Sequence, residues 1–123
     1  SRYADLVPHL KLDVSANAYE ITEVSAILHQ LVAELCRFET IDPASVKAYF
    51  REHKTWAMGE GARPGFVHLE VAILDGRPLD LKQAIADGMR RVLERCFARS
   101  IAEGLLGLTI EIRDMDRATY VKA

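Results

Sequence analysis

The sequence has 123 residues, half of them hydrophobic, and a formal net charge of -2. This length fits one domain with a real core. The balanced charge argues against nucleic acid as the main partner, because phosphate binding needs a cationic surplus. No apolar run approaches the roughly 20 residues that span a membrane, and no signal peptide is visible. We therefore expect a cytoplasmic protein with no membrane partner.

The two cysteines and four histidines do not form a metal-binding pattern. Cys36 and Cys96 both fall on the apolar rhythm of candidate helices, which favours buried free thiols over a disulfide between them. The histidines are scattered along the chain, at His9, His29, His53 and His68. No cluster has the spacing of metal ligands, so we expect no metal site.

Residues 1–7 differ in character from the chain that follows. We interpret them as an expression remnant or a non-native extension, and residues 8–123 as a single domain. From residue 9 to residue 14, apolar and polar side chains alternate, which predicts a strand. The period then becomes helical over about residues 20–38. After a break at Asp42-Pro43, the chain predicts a second strand of mixed polarity, covering residues 46–56.

The second half of the domain repeats this pattern. After a glycine-rich turn, Val67, Leu69, Val71 and Ile73 alternate with His68, Glu70 and Ala72, which predicts a third strand over residues 66–74. Asp80 and Gln83 have the spacing of a capping box, which predicts a long helix that ends near Gly104. Residues 106–113 alternate again and predict the fourth strand.

The predicted element order is β-α-β-β-α-β, an α+β fold with two similar halves. Each strand-helix-strand unit should cross over with the same hand and make its two strands parallel. Both helices can then lie on one face of a four-stranded mixed sheet. We expect the other face to be apolar and uncovered, which is a liability for a monomer. The sequence therefore predicts self-association through that face.

Pro8 stands directly before the first strand. A proline is tolerated at the start of a strand for structural reasons alone. If Pro8 is the first residue of the mature chain, however, its nitrogen is a secondary amine. An α-amino group has a pKa of about 7.7–8.0, and burial and nearby cations lower it. Such a nitrogen is a suitable general base near neutral pH, whereas an amide nitrogen is not.

Three cations are further candidates for the site. Arg77 lies in the loop between the third strand and the second helix, where a guanidinium can bind a carboxylate in bidentate fashion. Lys47 and Arg51 share one face of the second strand with Tyr49 and His53, which forms a cationic wall for an acidic substrate. The structural alternatives are a solvated loop arginine and the solvent side of an edge strand.

Five segments of the chain resemble one known family, that of 5-carboxymethyl-2-hydroxymuconate isomerase in the 4-oxalocrotonate tautomerase superfamily. The similarity runs from Pro8 to about Tyr120. The segments that carry it are Pro8-His9-Leu10, Thr55-Trp56-Ala57-Met58, Phe66-Val67-His68-Leu69, Gly76-Arg77-Pro78-Leu79 and Leu108-Thr109-Ile110-Glu111-Ile112.

The resemblance implies a homotrimer of tautomerase-like subunits that uses neither a metal nor an organic cofactor. It implies that Pro8 takes the proton from the 2-hydroxyl of a dienol acid and returns it to a distal carbon. Arg77 corresponds to the family's loop arginine, and a second family arginine falls on Lys47. With Pro8, these are the expected catalytic residues, and Arg51 and His9 are expected to bind the carboxylate substrate.

Two departures from the family keep other functions open. Lysine cannot make the bidentate contact of an arginine, and Val7 acylates the Pro8 nitrogen in the printed chain. Phenylpyruvate tautomerase, decarboxylase and dehalogenase activities therefore remain alternatives. A non-catalytic ferredoxin-like module that senses a ligand shares the same element order, whereas RNA binding is disfavoured by the charge balance.

Overall fold

The computed structural model describes residues 7–123. Residues 1–6 of the proposed extension lie outside this range. The last residue of the extension, Val7, is described and is buried in the core. The elements are β1 (His9–Ser15), α1 (Val24–Leu35), β2 (Lys47–His53), β3 (Gly65–Leu74), α2 (Leu79–Cys96), α3 (Ala98–Ala102) and β4 (Leu106–Met115). Short 3-10 turns at Tyr19–Glu23 and Pro43–Ser45 precede α1 and β2. The predicted β-α-β-β-α-β order is confirmed, with α3 as an addition.

The four strands form one mixed sheet in the order β2-β1-β3-β4. The pairs β1/β2 and β3/β4 are parallel, and β1 and β3 pair in the antiparallel direction at the centre. Each parallel pair is connected through a helix, as the strand-helix-strand pattern predicts. The helices α1 and α2 pack against each other, with α1 contacting β2 and α2 contacting β4. The α+β class and the mixed sheet are therefore as predicted.

The hydrophobic core lies between these two helices and one face of the sheet. Each helix turns a buried stripe toward the sheet, and the central strands contribute alternate apolar residues because strand side chains alternate between faces. The main contributors are Leu10, Leu12, Val14, Ile27, Leu31, Leu35, Val67, Leu69, Val71, Ile85, Met89 and Leu93.

The uncovered face of the sheet is polar, and the expectation of an apolar face is wrong. The polar side chains on this face come from all four strands: His9, Lys11, Asp13, Lys47, Tyr49, Arg51, His53, His68, Glu70, Thr109, Glu111 and Arg113. Glu70 lies at its centre and contacts Lys11 at 3.8 Å and Arg113 at 3.1 Å. Period-two alternation places most of the polar strand residues here, so the face carries mainly polar and ion-paired groups.

Two predicted boundaries are wrong. The second strand ends at His53 and does not reach residue 56. The long second helix is divided: α2 ends at Cys96, and α3 follows after the buried Phe97. Gly104 does end this helical region, in the left-handed conformation with φ 72°.

The predicted capping box is also wrong. Helix α2 begins at Leu79 after Pro78. Asp80 therefore lies inside the first turn, where its carboxylate accepts a hydrogen bond from the Leu81 backbone N–H at 2.9 Å. Its negative charge still suits this position, because a helix N-terminus carries partial positive charge.

Candidate functional site

The predicted base lies at one end of the sheet. At this end β1 and β2 begin and β3 and β4 finish. Pro8 is buried, and its carbonyl oxygen accepts a hydrogen bond from the Lys47 backbone N–H at 3.1 Å. In the antiparallel register His9 pairs with Ala72, which places Pro8 beside the last residues of β3. We call this region the Pro8 end of the sheet.

Arg77 belongs to the loop that leaves β3 at the Pro8 end. The Asp75 backbone N–H donates to the Met115 carbonyl oxygen at 2.9 Å, which fixes the start of the loop to the end of β4. Gly76 then adopts φ 96°, a left-handed conformation that favours glycine, and turns the chain. Arg77 follows it and is partly buried. Pro8, Lys47 and Arg77, which sequence analysis selected separately, therefore lie at the same end.

Lys47 is an exposed cation at the Pro8 end. It is the first residue of β2 and pairs in register with His9. Within residues 7–123 its ammonium group makes no ion pair with a carboxylate. Its charge is therefore available for an anionic ligand, without an internal salt bridge that must first be broken.

The His9 side chain lies between two tyrosines. Its Nε2 atom is 3.0 Å from the Tyr120 hydroxyl, and its Nδ1 atom is 3.3 Å from the Tyr49 hydroxyl. Partial burial lowers the pKa of His9 below its usual value, and the nearby ammonium groups of Lys47 and Lys11 lower it further. A neutral imidazole has one donor and one acceptor, so one tyrosine hydroxyl donates to the ring and the other accepts from it.

A groove of about 500 Å³ opens on the uncovered face beside His9. Charged side chains of both signs line the groove. Lys11 and Arg113 are positive, and Glu70, Asp114 and Asp116 are negative. Pro8 does not line this groove. It stands two residues before the buried Leu10, and residues two apart along a strand share a face. His9 therefore faces the groove, while Pro8 faces the helix side of the sheet.

Arg51 does not lie at the Pro8 end. It pairs in register with Asp13, four residues along β2 from Lys47, a separation of roughly 13 Å. Arg51 and Lys47 do share a face, as the alternation predicts, and the same face carries Tyr49 and His53. His53 contacts the Asp13 carboxylate at 2.6 Å and is therefore engaged within the subunit.

Two residues of the C-terminal segment contact the Pro8 end of the sheet and were not selected as site residues from the sequence. Arg117 contacts Asp75 in the Arg77 loop, and Tyr120 contacts His9. Tyr120 marks only the approximate end of the family resemblance in the sequence, and Arg117 carries no local signal because its partner is 42 residues away.

Residues 7–123 contain no group of three or more His, Cys, Asp or Glu side chains placed to hold a metal ion. Cys36 and Cys96 are both free and partly buried, and they do not form the disulfide considered above. In the same part of the chain, no helix is long and apolar enough to cross a bilayer.

Known proteins match this chain over nearly its whole length. The model of the 5-carboxymethyl-2-hydroxymuconate isomerase family matches residues 8–123. A solved structure of a 5-carboxymethyl-2-hydroxymuconate isomerase from Deinococcus radiodurans R1 is 26% identical, with a TM-score of 0.91, and the match covers 100% of this chain and 93% of that one. No curated protein sequence matches.

Two more distant structures share the fold. A 5-carboxymethyl-2-hydroxymuconate delta-isomerase is 15% identical with a TM-score of 0.85, covering 100% of this chain and 92% of that one. A fused 4-OT, described as a symmetric trimer, is 18% identical with a TM-score of 0.68, covering 94% and 91%. Because the family model covers the chain from Pro8 to its last residue, the protein belongs to the 5-carboxymethyl-2-hydroxymuconate isomerase family and is a tautomerase-type isomerase.

Proposed function

We propose that this isomerase converts 5-carboxymethyl-2-hydroxymuconate, or a closely related dienol acid, in the breakdown of an aromatic acid, with the Pro8 nitrogen as its base. The observation that carries the proposal is the meeting of Pro8, Lys47 and Arg77 at one end of the sheet. A base and two cations at the same end of the sheet suit a substrate that carries both a transferable proton and carboxylates.

The proposed reaction is a balanced proton transfer. Pro8 removes the proton from the 2-hydroxyl group, the electron pair shifts along the conjugated double bonds, and the same proton is returned to a distal carbon. The product is a conjugated ketone, and nothing is gained or lost. This step needs a free lone pair on the ring nitrogen, so the active form of the chain begins at Pro8. The family match, which starts at residue 8, supports that requirement.

Lys47 and Arg77 bind the carboxylates in this proposal. The ammonium group of Lys47 is exposed and makes no ion pair within residues 7–123. The guanidinium of Arg77 is partly buried, and removing water around a charged contact strengthens it. Both cations also stabilise the negative charge that develops on the substrate oxygen as the proton leaves. Their charge further disfavours the protonated form of the Pro8 amine.

We further propose that the protein is a homotrimer. The fused 4-OT that shares its fold is described as a symmetric trimer. In the order β2-β1-β3-β4, β2 and β4 are edge strands within the subunit, and edge strands offer unpaired backbone groups to another chain. Light scattering in solution should give three times the mass of one chain, and the mass of a single chain would contradict the assembly.

The test of the reaction is a substrate panel assayed with protein that begins at Pro8. Ultraviolet absorbance follows 5-carboxymethyl-2-hydroxymuconate, 2-hydroxymuconate, enol-phenylpyruvate and a haloacrylate under the same conditions. We expect the highest kcat/KM for the dienol diacids or triacids. A higher value for enol-phenylpyruvate or the haloacrylate would favour the rival reactions that the Lys47 position keeps open, and no turnover at all would refute the proposal.

A further inference from the structure

The chain after β4 forms a defined turn at the Pro8 end. The Asp116 carboxylate accepts from the Ala118 backbone N–H at 3.0 Å and from the Thr119 hydroxyl at 3.2 Å. The Asp116 carbonyl oxygen accepts from the Tyr120 backbone N–H at 3.0 Å. An aspartate that bonds the backbone two residues later is a standard turn-forming device. Residues 116–120, which we call the C-terminal turn, therefore have a fixed shape.

One side of this turn is attached to the loop that carries Arg77. The Arg117 backbone N–H donates to the Asp75 carboxylate at 3.3 Å. Its guanidinium donates to the Asp75 carbonyl oxygen at 3.1 Å and lies 3.7 Å from the same carboxylate. Asp75 stands two residues before Arg77, with only Gly76 between them. These three contacts restrain a loop whose glycine would otherwise leave it free to move.

The other side of the turn is attached to the residue that follows Pro8. The Tyr120 hydroxyl lies 3.0 Å from His9 Nε2, and the Tyr120 ring packs against the hydrophobic core. The His9 ring meets the Tyr120 ring edge-on, with centroids 6.2 Å apart. Because His9 and Pro8 share a peptide bond, a contact that holds the His9 side chain also restrains the Pro8 ring.

We propose that Arg117 and Tyr120 are positioning residues, which fix the carboxylate-binding Arg77 and the base Pro8 relative to each other through the C-terminal turn. The proposal rests on the proposed function above, because it requires that Arg77 and Pro8 act on one bound substrate, Arg77 at a carboxylate and Pro8 at the transferable proton. A proton transfer needs its partners held at a near-attack distance, and a misplacement of about 1 Å can cost about a hundredfold in rate.

Substitutions of Arg117 and Tyr120 should change different kinetic constants in protein that begins at Pro8. Arg117→Ala releases the Arg77 loop and should raise KM for the dienol acid about tenfold while changing kcat less. Tyr120→Phe removes only the hydroxyl that contacts His9, and should lower kcat about tenfold with little change in KM. Arg117→Lys, which keeps a cation beside Asp75, should restore part of the affinity.

Matched controls come from the same tail. Lys122→Ala removes an exposed cation two residues beyond the turn and should leave both constants unchanged. A chain that stops after Tyr120 should behave as the full chain, because Val121 is 88% exposed. A chain that stops after Thr119 should behave as Tyr120→Phe or worse. Thermal unfolding of every variant separates these effects from loss of folded protein.

Hydrogen exchange gives a readout that does not depend on turnover. In Arg117→Ala the backbone amides of Gly76 and Arg77 should exchange at least about tenfold faster, while those of β1 should be unchanged. Unchanged exchange in this loop, or wild-type KM and kcat in both variants, would overturn the positioning role. Faster exchange in a protein that turns over no dienol acid would support the turn's role and refute the proposed function instead.

Discussion

The two ends of the sheet are built from similar strands but differ in how particular polar side chains are paired. At the end opposite Pro8, the His53 and Ser15 side chains are engaged within the subunit. His53 contacts Asp13 at 2.6 Å, and the Phe66 backbone N–H donates to the buried Ser15 hydroxyl at 2.8 Å. At the Pro8 end, Lys47 is exposed and makes no internal ion pair within residues 7–123. Satisfied polar groups stabilise a fold, whereas the charge of Lys47 needs no internal ion pair to be broken before it meets an anion.

The largest expected effect comes from the base itself. In protein that begins at Pro8, Pro8→Ala replaces the secondary ring amine with a primary amine of different geometry. We expect kcat to fall about 10²- to 10⁴-fold, the usual contribution of a general base, with little change in thermal stability. Steady-state kinetics by ultraviolet absorbance measures it, and a variant with full activity would remove Pro8 from the mechanism.

The two cations at the Pro8 end should matter more than the cation farther along the same strand. Lys47→Ala and Arg77→Ala should each raise KM about ten- to a hundredfold, because a hydrogen bond to a charged group contributes about 1.5–3 kcal/mol. Arg51→Ala, four residues along β2, is the matched control and should change KM less than about threefold. Equal losses in all three variants would mean that the substrate covers the whole face of β2.

At the opposite end, a substitution should lower stability without affecting catalysis. Ser15 is fully buried, accepts from the Phe66 backbone N–H and donates to Asn17 Oδ1 at 2.6 Å. Ser15→Ala leaves that N–H unsatisfied and should reduce the free energy of unfolding by about 1–3 kcal/mol. Denaturant unfolding measures the loss. Reduced kcat in the folded variant would break the division between the two ends.

The smallest expected effect is the titration of His9. Its pKa is lowered by partial burial and by Lys47 and Lys11. As the pH falls, His9 therefore binds a proton at a higher pH in the unfolded state than in the folded state. The stability that His9 contributes is complete above about pH 6.5 and is lost as the pH falls through its folded pKa. NMR titration of the imidazole should show a higher pKa in Lys47→Ala but not in Lys54→Ala, and equal values would exclude this charge effect.

Much of the fold could be predicted because its signals are local. The alternation of side chains predicted the bounds of β1 and β3 within a residue or two, and the helix period located α1 and α2. The meeting of Pro8 and Lys47 follows from the parallel pairing of β1 and β2, which brings both strand starts to one end.

The remainder depends on contacts between distant parts of the chain. Arg117 and Asp75 are 42 residues apart, and His9 and Tyr120 are 111 apart, so no local pattern could join them. The expectation of an apolar uncovered face was instead an error of interpretation. Its polar members, including Lys11, Glu70 and Arg113, were present in the same alternation that predicted the strands.

The account depends most on the state of one nitrogen atom, and one comparison tests it directly. The kcat/KM for 5-carboxymethyl-2-hydroxymuconate is measured for protein that begins at Pro8 and for the printed 123-residue chain, in which Val7 acylates that nitrogen. The account predicts at least about a hundredfold higher value for the protein that begins at Pro8. Equal activity of the two folded forms would contradict it, because an amide nitrogen cannot accept the proton.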